Sequence, residues 1–322
     1  MAPDARQSAA VKEAACVLFA YQDMGYACME ALLSMGAPVA AVFSHRDDPH
    51  EEIWWRSCTE LAERHRVPVH YPDKMDDGWI AHIAAMKPAV IYSFFYRNLL
   101  PQNLLDCAPL GAYNVHGALL PRYRGRASVN WVLVNGEKET GVTLHHMVAR
   151  ADAGDIVAQR SVEIEDRDTA RTLYRKLVPL GAELIREFHP LIAAGCAPRR
   201  PQDISAGSYF GRRRPEDGRI DWRWPARRIF NLVRAVTHPY PGAFCVLGEE
   251  RKLLVWQTQI AAETERRGDP GEIIGEAAGG ALEVAAGEGS ILLLRAQCEG
   301  GVEGEARNVM AANLLKGSIS LR

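Results

Sequence analysis

The first half of the chain alternates short apolar runs with segments in which apolar residues recur at helical spacing. Five runs are predicted to be strands, at residues 15–21, 38–44, 67–72, 88–95 and 111–117. The segments between them at residues 29–36, 51–66 and 77–87 are predicted to be helices. The run 88–95 is almost wholly apolar, which is typical of a central parallel strand covered on both faces. This alternation predicts an α/β domain with a doubly wound, mostly parallel sheet.

After the five alternating strands, the chain continues with a predicted pair of strands and a long helix. Residues 141–148 and 155–164 are predicted to be a strand and its return partner, and residues 169–195 a long helix. Pro179 and Pro190 lie inside that helical stripe, where a proline can kink or divide a helix.

The segment 196–208 is rich in proline, glycine and serine, and we interpret it as a linker. Beyond it, one helical segment is followed by short β-type runs punctuated by glycine, which predict a small β-barrel of the OB type. We therefore expect a catalytic domain over residues 1–200 and a smaller barrel domain over residues 209–322.

The composition is that of a globular protein, with 48% hydrophobic residues, 24% charged residues and a net charge of −2. This charge does not favour a general polyanion binder. Residues 1–15 lack the apolar core of a signal peptide, and no apolar run reaches membrane-spanning length. The 7 cysteines are scattered without a C-x-x-C pair, which is typical of reduced thiols. We expect a cytoplasmic protein that does not insert into a membrane.

Two cofactor classes have little support in the sequence. The turn after the first strand reads AYQDMGYA and contains no G-x-G-x-x-G motif, so we expect no NAD or flavin. His145 and His146 are adjacent on a predicted strand and therefore face opposite sides, which is poor geometry for a shared metal. We expect no metal site.

Polar side chains end the strand GAYNVHG, where ligands of open α/β sheets bind. Asn114 and His116 are two residues apart on an extended chain and so point to the same face. An amide can stabilise an oxyanion and an imidazole can move a proton, a pairing that suits acyl transfer. The alternative is a purely structural role, in which Asn114 caps a turn and His116 is a core histidine with satisfied hydrogen bonds.

A loop between two predicted strands supplies acidic candidates, Asp152 and Asp155. A carboxylate beside His116 would fix the tautomer of the imidazole and favour its protonated form. Each aspartate taken alone is equally typical of an ordinary turn.

Residues 114–159 resemble the folate-dependent formyltransferases, whose hallmark is N-x-H-x-S-L-L-P followed by a D-x-G-x-I loop. The resemblance runs from FAYQDMG to HPYPGAF and covers most of the chain. Four segments resemble the formyltransferase domain of the bifunctional polymyxin-resistance enzyme, which formylates UDP-4-amino-4-deoxy-L-arabinose, more than they resemble other members of the family. These segments are FAYQDMG, YRGRA, NWVLVNGEKETGVTLH and RADAG. One position departs from the hallmark, because Ala118 stands where the family has serine.

The resemblance implies 10-formyltetrahydrofolate as co-substrate and a catalytic Asn114, His116 and Asp152. In that interpretation Asn114 stabilises the oxyanion, His116 carries the proton and Asp152 supports the imidazole. It also implies folate contacts from three segments, which are Asn98, Leu99 and Leu100; Arg126; and Val148, Ala149, Arg150, Ala151 and Asp152. Arg124 and Arg126 in the dense RYRGR segment favour an anionic ligand, although either could be a solvated surface charge.

The acceptor of the formyl group stays open at this point. A methionyl-tRNA formyltransferase is disfavoured, because the loop SHRDDPHEEIWW is more acidic than basic and would repel phosphates. Transfer to another nucleotide-linked amino sugar, hydrolysis of formyltetrahydrofolate and folate binding without catalysis also stay open. We expect a transferase for a small UDP-amino sugar, without the nicotinamide chemistry of the bifunctional enzyme's second domain. Whether the chain forms a homo-oligomer is also open.

Overall fold

The computed structural model describes residues 10–49, 51–247, 251–265, 267–313 and 321. Their contacts divide them into two compact units. The first unit comprises the described residues up to Ser128, Glu139–Glu163 and Tyr174–Phe210, and the second comprises Val129–Lys138, Ile164–Leu173 and the described residues from Gly211 onward. The domain boundaries expected from the sequence stay a prediction. Residues 1–9, where we expect no signal peptide, lie outside the described residues.

The first unit is built on a mixed sheet. The strands in this part of the chain are β1 (Cys16–Ala20), β2 (Val39–Phe43), β3 (Val69–His70), β4 (Val90–Phe94), β5 (Ala112–His116), β6 (Arg124–Gly125), β7 (Glu139–His146) and β8 (Ile156–Glu163). Seven of them form one sheet in the order β3-β2-β1-β4-β5-β7-β8. The pairs from β3 to β5 are parallel, and β7 joins β5 and β8 in antiparallel pairs. The predicted mostly parallel α/β fold is confirmed.

Six helices that lie wholly within the described residues accompany these strands along the chain. They are α1 (Gln22–Ser34), α2 (Cys58–Arg64), α3 (Asp77–Ala85), α4 (Gln102–Leu105), α5 (Ser128–Val134) and α6 (Ala170–Ala193). Every residue of β1 and β4 is buried, as expected of central parallel strands. Phe19, Phe43, Ile83 and Ile91 belong to one buried cluster on this sheet. α6 is a single helix with Pro179 and Pro190 inside it, so neither proline divides the predicted helix. Among the described residues, no helix is long and apolar enough to cross a membrane.

The helix predicted over residues 51–66 is shorter than expected. It begins at Cys58, after Ser57, whose side chain accepts a hydrogen bond from the backbone N–H of Glu60. Trp54 and Trp55 do not belong to a helical stripe, because their rings pack edge-on against Tyr174 and Tyr21 at centroid distances of 5.4 and 5.5 Å. Long-range aromatic packing therefore overrides the local periodicity of this segment.

The segment interpreted as a linker is part of the first unit. Arg200 exchanges backbone hydrogen bonds with Ile156 at the beginning of β8. A short strand, β9 (Tyr209–Phe210), pairs in parallel with β6. The proline and glycine content of segment 196–208 did not reveal its hydrogen bonds to β8, and its role as a linker between domains stays a prediction.

The second unit contains an antiparallel sheet and two further helices. Its elements are α7 (Ala226–Val236), β10 (Ala243–Leu247), β11 (Arg251–Ala262), β12 (Ile273–Ala277), β13 (Ala281–Ala285), β14 (Ser290–Cys298), β15 (Gly304–Glu305) and α8 (Ala306–Asn313). The strands pair in the order β10-β11-β14-β13-β12, with β15 beside β14. Ile229, Leu232, Val233 and Val236 form the buried side of α7. The β-rich second domain is confirmed, and closure of its sheet into a barrel stays a prediction.

Candidate active site

Strand β5 carries Asn114 and His116 at its carboxyl end, on the same face of the sheet. The antiparallel register between β5 and β7 places Asn114 directly opposite His145. Residues opposite each other on adjacent strands have their side chains on the same face. His145, which the sequence pattern did not assign to the site, therefore joins the two predicted side chains.

Asp152 approaches from the loop between β7 and β8, and its carboxylate contacts all three of these side chains. Oδ1 accepts a hydrogen bond from Asn114 Nδ2 at 3.3 Å and lies 3.5 Å from His145 Nε2. Oδ2 lies 3.7 Å from His116 Nδ1. The structure thus brings the three residues predicted to be catalytic together. Asp155, the second acidic candidate, lies elsewhere and pairs with Arg199 at 3.2 Å.

The tautomer of His116 follows from its backbone partner. Its Nε2 is 2.7 Å from the carbonyl oxygen of Tyr123. A carbonyl oxygen can only accept a hydrogen bond, so Nε2 carries the proton. Nδ1 is then the nitrogen that can take up a further proton, and it faces the carboxylate of Asp152. This arrangement suits a base whose protonated form is stabilised by a neighbouring anion.

Asp152 is held as a carboxylate by its surroundings. Burial alone would raise the pKa of this carboxyl, but the positive charges that His116 and His145 carry when protonated, the hydrogen bond that His145 donates in that form and the Gly125 N–H outweigh it. Together they hold the pKa of Asp152 well below its usual range. The backbone at Asp152 has a φ of 51°, a left-handed conformation that is uncommon for residues other than glycine. A strained, ionised carboxylate in a loop is typical of a functional site.

The segment Tyr123–Gly125 contacts two of these residues through its backbone. The Tyr123 carbonyl accepts from His116, and Gly125 donates its N–H to Asp152 Oδ2 at 2.8 Å. Arg124, between them, is only 5% exposed, and its Nε has no hydrogen-bond partner among the described residues. A buried guanidinium without a complete set of partners is costly unless a ligand supplies them.

The segments predicted to contact folate converge on one loop. Arg126 donates to the carbonyl of Arg97 at 3.0 Å, next to Asn98. The backbone N–H of Ala149 donates to the side chain of Gln102 at 3.0 Å. Leu99 is 70% exposed and Val148 is 43% exposed, whereas Leu100 is buried. Large exposed apolar side chains beside a polar site are typical of a ligand-binding surface. A cavity of about 460 Å³ borders the 147–155 loop on the side of His146 and Asp155, away from Asn114 and His116.

The segment 196–208 holds the Asp152 loop in place through hydrogen bonds to its backbone. Gln202 donates to the backbone carbonyls of Asp152, at 3.2 Å, and of Gly154. The carbonyl of Pro198 is 3.0 Å from Nε2 of His146, whose ring packs against Tyr113. His146 thus faces away from the site, as strand alternation predicts. Gln202 is a second contributor that the sequence pattern did not reveal.

The turn after β5 does not use a hydroxyl at position 118. Ala118 is fully buried, and Thr143 Oγ1 donates to its carbonyl at 2.6 Å while accepting from the N–H of Leu120 at 3.1 Å. The hydroxyl of Ser128 donates to the carbonyl of Gly117. The departure from the family hallmark therefore leaves the turn hydrogen-bonded. Across the described residues, no group of three side chains suited to a metal ion is present.

Several solved structures share this architecture at low sequence identity. An N-formyltransferase from Helicobacter canadensis, in complex with folinic acid and dTDP-3-aminofucose, is 19% identical with a TM-score of 0.67, and the match covers 87% of this chain and 98% of that one. WlaRD, a sugar 3N-formyltransferase solved with dTDP and 5-N-formyl-THF, is 17% identical with a TM-score of 0.61, covering 89% and 98%. HypX from Aquifex aeolicus, in complex with tetrahydrofolic acid, is 17% identical with a TM-score of 0.61. That match covers 95% of this chain but only 50% of HypX.

Two family models match the chain in succession. The formyl transferase model matches residues 18–187, which include the Asn114, His116 and Asp152 cluster, and the model of the formyl transferase C-terminal domain matches residues 213–313. The first match alone spans more than half of the chain. The two matches follow the order of the α/β sheet and the antiparallel sheet described above. The chain therefore belongs to the formyl transferase family.

Proposed function

We propose that the chain transfers the formyl group of 10-formyltetrahydrofolate to the 4-amino group of UDP-4-amino-4-deoxy-L-arabinose. The observation that carries the proposal is the convergence of an amide, an imidazole and a carboxylate around Asp152, with Asn114 Nδ2 at 3.3 Å and His116 Nδ1 at 3.7 Å from its oxygens. Each of these groups has a defined part in acyl transfer to an amine. We keep a cytoplasmic location as part of the proposal.

In the proposed reaction, the unprotonated amine attacks the formyl carbon and forms a C–N bond. The electrons of the C=O bond move to oxygen, and Asn114 stabilises the resulting oxyanion through an amide hydrogen. The attacking nitrogen loses its proton to His116 Nδ1, because Nε2 is already protonated against the Tyr123 carbonyl. The bond from the formyl carbon to N10 of the folate then breaks, and N10 takes the proton from His116.

Asp152 supports the proton transfer without leaving its ionised form. Its pKa is held well below the usual range by the same side chains that it contacts. When His116 takes up the proton, the new positive charge lies beside this carboxylate, which stabilises it. The roles of all three residues are consistent with the positions of their polar atoms.

Folate binding is supported by the exposed apolar pair Leu99 and Val148 beside polar loop groups. The flat ring system of a folate offers apolar faces and a polar edge, which suits such a surface. All three of the similar structures described above contain a folate derivative, namely tetrahydrofolic acid for HypX, folinic acid for the Helicobacter canadensis protein and 5-N-formyl-THF for WlaRD. We therefore propose the segments Asn98–Leu100, Arg126 and Val148–Asp152 as the folate site.

A nucleotide-linked acceptor is supported by Arg124. Its buried guanidinium lies between two residues whose backbones contact His116 and Asp152, and its Nε lacks a partner among the described residues. An anionic diphosphate is a ligand that would complete those hydrogen bonds. The choice of UDP-4-amino-4-deoxy-L-arabinose over other sugars rests on the sequence resemblance. A dTDP-linked amino sugar is the second candidate, because the Helicobacter canadensis structure contains dTDP-3-aminofucose.

The charge argument against tRNA is weaker in the structure than in the sequence. Within the acidic loop, Asp47 accepts a hydrogen bond from the Tyr21 hydroxyl and Glu51 pairs with Arg97. Arg97 therefore partly neutralises the charge of Glu51, so this carboxylate repels phosphates less. Methionyl-tRNA consequently belongs among the acceptors to be tested.

The test is a set of parallel reactions with 10-formyltetrahydrofolate and one acceptor each: UDP-4-amino-4-deoxy-L-arabinose, a dTDP-linked amino sugar, methionyl-tRNA, or water alone. We expect the UDP sugar to be formylated with the highest kcat/KM, read by mass spectrometry of the product. Asn114→Ala should lower kcat by roughly 10²–10³, the range for loss of one oxyanion donor. Formyl release without any acceptor product would point to a hydrolase, and normal turnover by Asn114→Ala would remove the proposed mechanism.

A further inference from the structure

We propose that His145 is a positioning residue of this site, which orients the amide of Asn114 for its part in the reaction. The inference rests on the proposed function, because it concerns the same reaction. His145 lies on β7 opposite Asn114, and its Nε2 is 3.1 Å from Asn114 Nδ2. The side chain of His145 is 2% exposed, whereas Asn114 is only half-buried. His145 therefore acts through Asn114, which is the more accessible to a substrate.

The hydrogen bonds of His145 define its tautomer. Its Nδ1 is 2.8 Å from the backbone carbonyl oxygen of His146, which can only accept, so Nδ1 carries a proton. In the neutral ring Nε2 then has a free lone pair. This lone pair accepts a hydrogen from Asn114 Nδ2, which is a donor only. The adjacent backbone carbonyl thus makes His145 a fixed acceptor for the catalytic amide.

The same hydrogen bonds fix which way the Asn114 amide points. One amide hydrogen is directed to His145 Nε2 at 3.1 Å and the second to Asp152 Oδ1 at 3.3 Å. An amide turned by 180° would direct its oxygen at two acceptors, the lone pair of His145 and the carboxylate of Asp152. That orientation is repulsive, so the two partners together select one orientation of the amide.

This orientation prepares Asn114 to donate a hydrogen bond during the reaction. Both hydrogen bonds are longer than the usual 2.9–3.0 Å, so an amide hydrogen can shift to a stronger acceptor. An oxyanion is a stronger acceptor than the neutral ring of His145, because hydrogen bonds to charged groups are about twice as strong. The hydrogen held by His145 is therefore the one that we expect to turn to the oxyanion. His145 keeps this donor in place before the charge develops, which is the basis of electrostatic preorganisation.

The test compares three variants of the full-length chain. His145→Leu removes the acceptor, His145→Gln keeps an amide oxygen as an acceptor, and His146→Gln is the matched control on the opposite face of the same strand. We expect His145→Leu to lower kcat roughly 10- to 100-fold, because misplacing a reacting group by about 1 Å can cost about 10²-fold, with both KM values unchanged. His145→Gln should recover most of that loss, and His146→Gln should keep the parent kcat.

A double variant tests whether His145 acts through Asn114. Adding His145→Leu to Asn114→Ala should cost little further activity, because the amide that His145 orients is already missing. If the two losses multiply instead, His145 does not act through Asn114 and the inference is overturned. If Asn114→Ala silences transfer while His145→Leu retains the parent kcat, the inference fails and the proposed function stands. If Asn114→Ala itself retains normal turnover, the proposed function is what fails.

A measurement on the unaltered protein covers the case in which His145→Leu does not fold. Nitrogen-15 NMR of the histidine-labelled chain distinguishes the two neutral tautomers of each ring. We expect the His145 signals of a neutral ring protonated at Nδ1, with a Nε2 resonance that shifts in Asn114→Ala as its hydrogen-bond donor is lost. A His145 ring protonated at Nε2 at neutral pH would overturn the inference, since that nitrogen could not accept from Asn114.

Discussion

Gly125 donates its backbone N–H to the carboxylate of Asp152 at 2.8 Å, although 27 residues separate the two along the chain. The bond joins the short strand β6 to the loop after β7. Two residues before Gly125, the backbone carbonyl of Tyr123 accepts a hydrogen bond from His116. The geometry of the site therefore depends on the path of this backbone as well as on the polar side chains.

We predict that Gly125→Ala disrupts the site. Gly125 has a φ of 97°, and a Cβ there would lie 2.2 Å from the carbonyl oxygen of Phe210 in the paired strand β9. The backbone must move to relieve this clash, at a cost of about 1–3 kcal/mol, and the bond to Asp152 moves with it. We expect lower stability in urea unfolding together with a fall in kcat.

Gly36→Ala is the matched control for that variant. Gly36 also has a left-handed φ, 76°, but a Cβ there would have no neighbour within 4 Å. We expect it to lose about 1 kcal/mol of stability from backbone strain alone, with the parent kcat. Equal stability losses in the two variants, with kcat unchanged in both, would show that the close approach at Gly125 does not matter for the site.

The elements that sequence predicted well are those set by local patterns. The buried strands β1 and β4 follow from continuous apolar runs, and the position of Asn114 and His116 at a strand end follows from the same pattern. Strand alternation correctly places His145 and His146 on opposite faces of β7. In these cases the information lies within a few consecutive residues.

The parts that sequence missed depend on long-range register. His145 enters the site because β7 runs antiparallel to β5 with Asn114 opposite it, and a shift of one residue would have turned it to the opposite face. Two adjacent histidines at the end of β7 were the signal in the sequence, but that signal could not show which of them faces Asn114. Gln202 was missed because its segment has the composition of a loop, although it fastens the backbone of Asp152.

A second prediction separates the two proposed substrate sites. Arg124→Met should raise the KM of the nucleotide sugar roughly 10- to 100-fold, which corresponds to the loss of about 1.5–3 kcal/mol from a charged hydrogen bond. The KM of the folate should not change, because Arg124 lies outside the predicted folate segments. Initial-rate kinetics with each substrate varied in turn would measure both constants.

Leu99→Ser is the counterpart of Arg124→Met. Because Leu99 is 70% exposed, the substitution should leave stability unchanged while raising the folate KM roughly tenfold through lost apolar contact. Val302→Ser, at an 88% exposed valine in the second unit, controls for the removal of an exposed apolar side chain. If each site variant raised both KM values together, the two substrates would not be bound by separate groups.

Our last prediction concerns the pH dependence of stability and arises from His189 in α6. This histidine is fully buried, its Nδ1 is 2.8 Å from the Tyr92 hydroxyl, and burial lowers its pKa from 6.5 to about 4. Below pH 6.5 the unfolded chain binds a proton at this position that the folded chain does not. Stability must therefore fall as the pH drops from 6.5 towards 4, by about 3 kcal/mol at most from this group.

The double variant Tyr92→Phe, His189→Phe removes the titrating ring and its partner together, so that neither buried polar group is left alone. Urea unfolding of this variant and of the parent, each at neutral pH and near pH 4, isolates the contribution of the pair. We expect the variant to lose less stability on acidification than the parent, because its core has no histidine to protonate. The His45 ring, whose pKa burial also lowers to about 4, is present in both proteins and cancels in the comparison. An equal loss on acidification in the two proteins would mean that His189 is not protonated preferentially in the unfolded chain.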